Sequence, residues 1–155
     1  MRLAPLASAA LICATVSVPA AAQQPQAPAA APAAAMPLRV SGAWARPSVP
    51  GRPMTAVYAV LENPGGSPVV LTGATCEVAG MSHIHESFEE QGMMRMRPVD
   101  SLVVPAHGRV ELAPGGYHIM LMMLRHPLAA GDRVRCELRA GERVVAVVDA
   151  EVRAQ

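Results

Sequence analysis

Pro114-Gly115-Gly116-Tyr117-His118-Ile119-Met120-Leu121-Met122-Met123-Leu124 is the stretch that decides the fold. A Pro-Gly-Gly turn signal opens a short apolar run, the pattern of a β-strand entered from a tight turn. In such a strand side chains alternate between faces, so His118 and Met120 project together, with Met122 further along the same face. Downstream, Arg133–Arg139 and Arg143–Val152 read as two strands joined by a tight turn at Ala140-Gly141-Glu142. Upstream, Arg109–Leu112, Leu102–Val104, Met93–Val99, Met81–Phe88, Val69–Cys76 and Met54–Glu62 are further short apolar runs. Asn63-Pro64-Gly65-Gly66 and the Pro105 to Gly108 segment punctuate them. The one helix candidate is short, around His126–Ala130. Eight or nine short strands at this spacing predict an all-β antiparallel sandwich or barrel. There is no internal repeat and no βαβ rhythm.

The chain has 155 residues, 52% apolar and 16% charged, which excludes a charge-rich disordered protein. Aromatics are scarce at 3%, so the core must rest on Val, Leu, Ala and Met. All thirteen basic residues are Arg, against twelve acids. Without Arg2 the remainder is formally neutral, which argues against nucleic acid or an anionic membrane surface as the main partner. Ten Met and five His are the unusual feature, and most of them crowd between Met81 and His126.

Residues 1–22 read as a secretory signal peptide. Arg2 supplies the basic start, Leu3 to Val18 the apolar stretch, and Ala20-Ala21-Ala22 before Gln23 the cleavage site. Ile12 stands where a small residue would precede a lipid-bearing cysteine, which argues against Cys13 in that role. No other stretch approaches the ~20 apolar residues of a membrane span, so stable insertion is not expected. Export to a bacterial periplasm is. Residues 23–37, with Pro25, Pro28, Pro32 and Pro37, read as a semi-extended linker, and 38–155 as one β domain. Cys76 and Cys136 are the pair left beyond the signal; an oxidising compartment favours a disulfide, and the alternative is two small buried thiols.

Three segments each present a same-face pair of imidazoles or thioethers: His83 and His85, Met94 and Met96, His118 and Met120. A metal site between neighbouring strands can be assembled from such pairs. Thioethers are soft and uncharged, and they select Cu(I) over Mg, Ca or Mn, while imidazole suits copper and zinc alike. A blue-copper centre would want His₂Cys with a weak axial Met, and no Cys lies near His85, His118 or Met120. A neutral ligand set suits a carrier that must release its ion. The plain alternatives are packing for Met93, Met122 and Met123, a half-exposed strand position for His83, and solvation for His107 in its turn. His126 has no same-face partner, and Glu86 points away from His85.

At these residues the chain resembles the PCuAC family of periplasmic copper chaperones. The family's pattern is a His, ten residues, a Met, twenty-one residues, then His-x-Met. His85, Met96, His118 and Met120 fit it without adjustment. Ile84-His85-Glu86, the Gly92 to Val99 stretch, Pro114 to Leu121, Ala43-Trp44-Ala45-Arg46 and Ala56-Val57-Tyr58 resemble family text as well. The likeness runs over about residues 38–152. It implies a cupredoxin-like Greek-key domain holding one Cu(I) through His85, Met96, His118 and Met120; the chain is expected to be a monomer and not an enzyme. It also implies delivery towards the copper-centre subunit of cytochrome c oxidase, sometimes with a Sco-type thiol protein. The His/Met-rich tail with which some members take Cu(II) has no counterpart in Glu151-Val152-Arg153-Ala154-Gln155.

Two other readings compete. A zinc protein would use His83, His85 and His118 and ignore the methionines. An immunoglobulin-like interaction module would hold no metal. Nucleophilic catalysis lacks a motif: there is no G-x-S-x-G.

Overall fold

The computed structural model describes residues 37–154. The expected signal peptide, and all of the expected linker but Pro37, lie outside the described residues. Eleven strands follow in order: β1 (Arg39–Ala45), β2 (Met54–Glu62), β3 (Val69–Leu71), β4 (Gly73–Cys76), β5 (Ala79–Glu90), β6 (Met93–Pro98), β7 (Leu102–Val104), β8 (Arg109–Leu112), β9 (Tyr117–Leu124), β10 (Arg133–Ala140) and β11 (Arg143–Val152).

Nine strands form one sheet in the order β4-β10-β11-β1-β2-β8-β9-β5-β6. Its pairings are antiparallel except β1 with β11 and the short β8–β9 contact. β4 stands at one end of that order and β5 next to the other, yet only Glu77-Val78 connects them. The sheet must therefore curl over on itself, and the inner faces of both halves meet in one core. Val57, Leu61, Ile119, Leu121, Val134, Leu138, Val148 and Val152 are fully buried there. β3 and β7 pair separately and contribute Leu71, Leu102 and Val104 to the same core. Non-sequential neighbours such as β1 between β11 and β2 make this the expected all-β, cupredoxin-like Greek-key sandwich.

Most strand boundaries agree with the sequence reading to within two residues, and four differences have local causes. The run Val69–Cys76 is two strands. At Thr72 the chain passes from one sheet to the other: its N–H donates to Arg139 O, and its hydroxyl accepts from Gly141 N. The His126–Ala130 segment is not helical. Pro127 has no N–H to give, Leu128 inserts its side chain into the core, and its N–H donates to Ser48 Oγ instead of to a helical carbonyl. β5 begins earlier than its apolar run because it pairs with β9 back to Ala79 opposite Leu124. β1 carries too little alternation to read as a strand, for the fourth reason, a bulge.

That bulge sits at Gly42, whose φ of 61° suits glycine. Register between β1 and β2 shifts by one residue between Ser41 and Trp44. Without the extra residue Trp44 would lie opposite Val57, on the core side. With it, Trp44 lies opposite Tyr58, on the outer face. β9 changes face at its other end: Met123 has φ 56°, and beyond it Leu124 packs against the core. Gly80 lies beside it, where an added Cβ would stand 3.1 Å from the Met123 Cβ.

Candidate metal centre

The outer face of β2, β9, β5 and β6 carries the residues singled out from the sequence. β9 and β5 run antiparallel with His118 opposite His85, Met120 opposite His83 and Met122 opposite Met81. On the other side of β9, Ala56 of β2 faces Met120 and Met54 faces Met122. On the far side of β5, Pro98 of β6 faces His85, and Met96 faces Ser87. The alternate side chains Ile119, Leu121 and Ile84 are buried in the core, which fixes the register of the whole face. The Gln91-Gly92 turn, both residues at positive φ (53° and 76°), closes the β5–β6 hairpin and so sets where Met96 stands.

His85, Met96, His118 and Met120 are thus on one face and close together. Met96, His118 and Met120 line one cleft of about 280 Å³, with Tyr58, Ser87 and Arg46. The His85 ring is 5.9 Å from that of His118, centroid to centroid. Met96 is 59% exposed at the rim, and His118 is buried at 3%.

His118 shows how the cleft is poised. Its Nδ1 lies 3.1 Å from Gly116 O, where Nδ1–H donates to the carbonyl. That fixes the tautomer and leaves Nε2 with a lone pair. Nε2 is buried and has no hydrogen-bond partner, alone among the buried side-chain N and O atoms of the described residues. A buried acceptor without a partner costs about 1–3 kcal/mol. A metal ion would supply the missing partner.

Burial, and then the His118 and His83 imidazoles, hold His85 below the usual 6.5. Burial also pushes His118 down; the Gly116 hydrogen bond opposes this, and the Arg46 guanidinium adds to it. Both rings are therefore neutral at pH 7 and can bind a cation without first losing a proton. The four residues singled out from the sequence offer two imidazoles and two thioethers, none of them charged. Among the described residues no three His, Cys, Asp or Glu come together as a group that could hold a metal. The three-imidazole zinc shell is not assembled, and Glu86, on the opposite face, binds Arg97 at 2.8 Å instead.

A row of rings extends the site in a way the sequence did not reveal. Trp44 and Tyr58 lie 4.5 Å apart, Tyr58 and His118 6.2 Å, and His83 and His85 6.5 Å. Arg153 covers Trp44, and Arg46 covers Tyr58, at 5.4 and 5.6 Å from the ring centroids. Trp44 and Tyr58 are both buried although they face outward. Tyr58 lines the cleft on the β2 side, with Trp44 stacked against it from β1. Their role depends on the bulge at Gly42, which no apolar period signals.

The fold is a β-sandwich of the kind seen in PCuAC domains. Residues 38–152 match the family model described as "Putative lipoprotein LpqE-like", and the chain belongs to that LpqE-like family. A protein described as "Putative lipoprotein Lxx21020", from Leifsonia xyli subsp. xyli, is 37% identical over 66% of this chain and 61% of its own length. The chain thus spans about three fifths of that relative. Among solved structures, apo-DR1885 from Deinococcus radiodurans is 31% identical, covering 94% of this chain and 97% of that one, with a TM-score of 0.58. The CuI-DR1885 structure is 34% identical over 78% of this chain and 81% of that one, with a TM-score of 0.59. The apo PCuAC domain from PmoF1, at 24% identity, 77% of this chain, 95% of that domain and a TM-score of 0.63, shares the fold.

Proposed function

We propose that this chain is an exported copper carrier that binds one Cu(I) through His85, Met96, His118 and Met120. It passes the ion on towards the copper-centre subunit of cytochrome c oxidase, directly or through a Sco-type thiol protein. It acts as a carrier, not an enzyme. The observation that carries the reading is the buried, unpartnered Nε2 of His118, aligned by its Nδ1–H hydrogen bond beside two thioethers in one cleft. Soft neutral donors favour Cu(I), and exposure of Met96 leaves one ligand where a partner could displace it. The likeness to a protein solved in a CuI form supports the same ion. Residues 1–22 act as the export signal, 23–37 as linker and 38–155 as the copper-binding domain, in a periplasmic monomer. Relatives described as lipoproteins support export. No helix among the described residues is long and apolar enough to cross a membrane.

The test is a Cu(I) competition titration of the purified chain against a coloured chelator, with Zn(II) in parallel. One Cu(I) bound tightly, and lost in the Met96→Leu/Met120→Leu double variant, is the expected result. Tight Zn(II) binding, with Cu(I) held no better by the wild type than by the double variant, would overturn it.

A further inference from the structure

Beyond the four proposed ligands, the outer face carries a second set of soft donors one rung away. Met81, Met122 and Met54 form a continuous line across β5, β9 and β2, since Met81 and Met54 both lie opposite Met122. Directly opposed residues place their Cβ atoms about 4.5–5.5 Å apart, within reach of flexible thioether arms. His83 stands on the same face of β5, two residues from Met81. His83, His85 and Met122 share a cleft of about 600 Å³, lined further by Thr72, Pro98, Val99 and Asp100. This is a different cleft from the one that holds Met96, His118 and Met120, which Met54 lines as well. His85 faces His118 across the strands and so stands between the two.

Packing does not account for two of these methionines, while Met122 is half-buried between them. Met81 and Met54 are 46% and 45% exposed, whereas the inward side chains of the same strands, such as Leu121 and Ile84, build the core. A large apolar side chain exposed on a strand gives up burial it could have had. Here two of them flank a third, beside an imidazole. The face reversal at Met123, with Gly80 alongside, ends the outward run just past Met81 and Met122 and leaves that end of the line open to solvent.

We propose that Met81, Met122 and His83 form a second, weaker Cu(I) station adjoining the first, with His85 as the ligand within reach of both. The inference shares the soft-cation reading of this face but, apart from His85, uses other side chains, so the two can fail separately. Three neutral donors hold Cu(I) less firmly than four, and the ion passes between stations by exchanging one ligand at a time.

The experiment is NMR of the full chain, labelled at the methionine methyl groups, titrated with Ag(I) as a redox-inert stand-in for Cu(I). The first equivalent is expected to move the Met96 and Met120 methyl signals, and the second those of Met81 and Met122. Met81→Leu/Met122→Leu, a volume-conserving change on the surface, should abolish the second event and leave the first intact. Unmoved Met81 and Met122 signals at two equivalents, or a second event that persists in the variant, would overturn the second station without touching the first. Movement of Met81 and Met122 alone, with Met96 and Met120 silent, would support this station and sink the four-ligand reading.

Discussion

His118 is a buried polar side chain that the apo fold only half satisfies. The arrangement resembles a catalytic residue in its energetics: stability is given up where binding needs a free lone pair. His118→Leu removes the orphaned acceptor together with one hydrogen bond, so the apo variant is expected to unfold at the same or higher urea concentration than the wild type. Its Cu(I) affinity should fall sharply. Clear destabilisation of the apo variant would show that Nε2 carries no cost. Acid should act on the same group. His118 and His85 bind protons less readily folded than unfolded, so the stability they contribute is present above the usual 6.5 and lost as pH falls through their lowered values. Urea midpoints of the apo protein should therefore decline between pH 7 and pH 5, and less steeply in His118→Leu. In the sequence, i, i+2 spacing fixed side-chain direction and offered three same-face pairs; the four proposed ligands among them came from the resemblance to a family spacing. The orphaned nitrogen was not, since it depends on where Gly116 O lies after the turn.

At the level of strands, register does the positioning. The β5–β9 pairing puts three imidazoles and three thioethers on one face, and a slip of β9 by one residue would turn His118, Met120 and Met122 into the core. The strand content was legible because apolar runs here are short and separated by Gly and Pro. The division at Thr72 was not, because nothing local distinguishes a bend between sheets from a continuous run. Nor was the placement of Trp44, which depends on a bulge in a strand with little alternation. Gly42→Ala tests the bulge. An added Cβ meets nothing within 4 Å, so only the backbone conformation is penalised, by about 1 kcal/mol. Trp44 emission should be unchanged and the unfolding midpoint slightly lowered. A shifted emission would mean that the register had slipped and turned Trp44 towards the core.

Across the whole molecule, the buried bond between Cys76 and Cys136 joins β4 to β10, opposite one another in register, and closes a loop of sequence separation 60 that contains all the proposed metal ligands. Both sulfurs lie in the core, away from the outer face. The chain-entropy account gives a loop of this length about 4 kcal/mol of stability. Cys76→Ser/Cys136→Ser should lower unfolding free energy by up to that amount while leaving Cu(I) affinity at the outer face nearly unchanged, as denaturant titration and metal competition would show. The sequence supplied the even pair; their proximity follows from β4 returning beside β10, a contact far apart along the chain.

Thiolates are anionic and softer than any thioether, so a reduced Cys76–Cys136 pair would outcompete the surface for Cu(I). Oxidised and buried, the two sulfurs are withdrawn from coordination. For the proposed carrier this implies an order of maturation, oxidation first and metal second. A chain metallated too early would hold its copper in the interior, beyond the reach of any recipient.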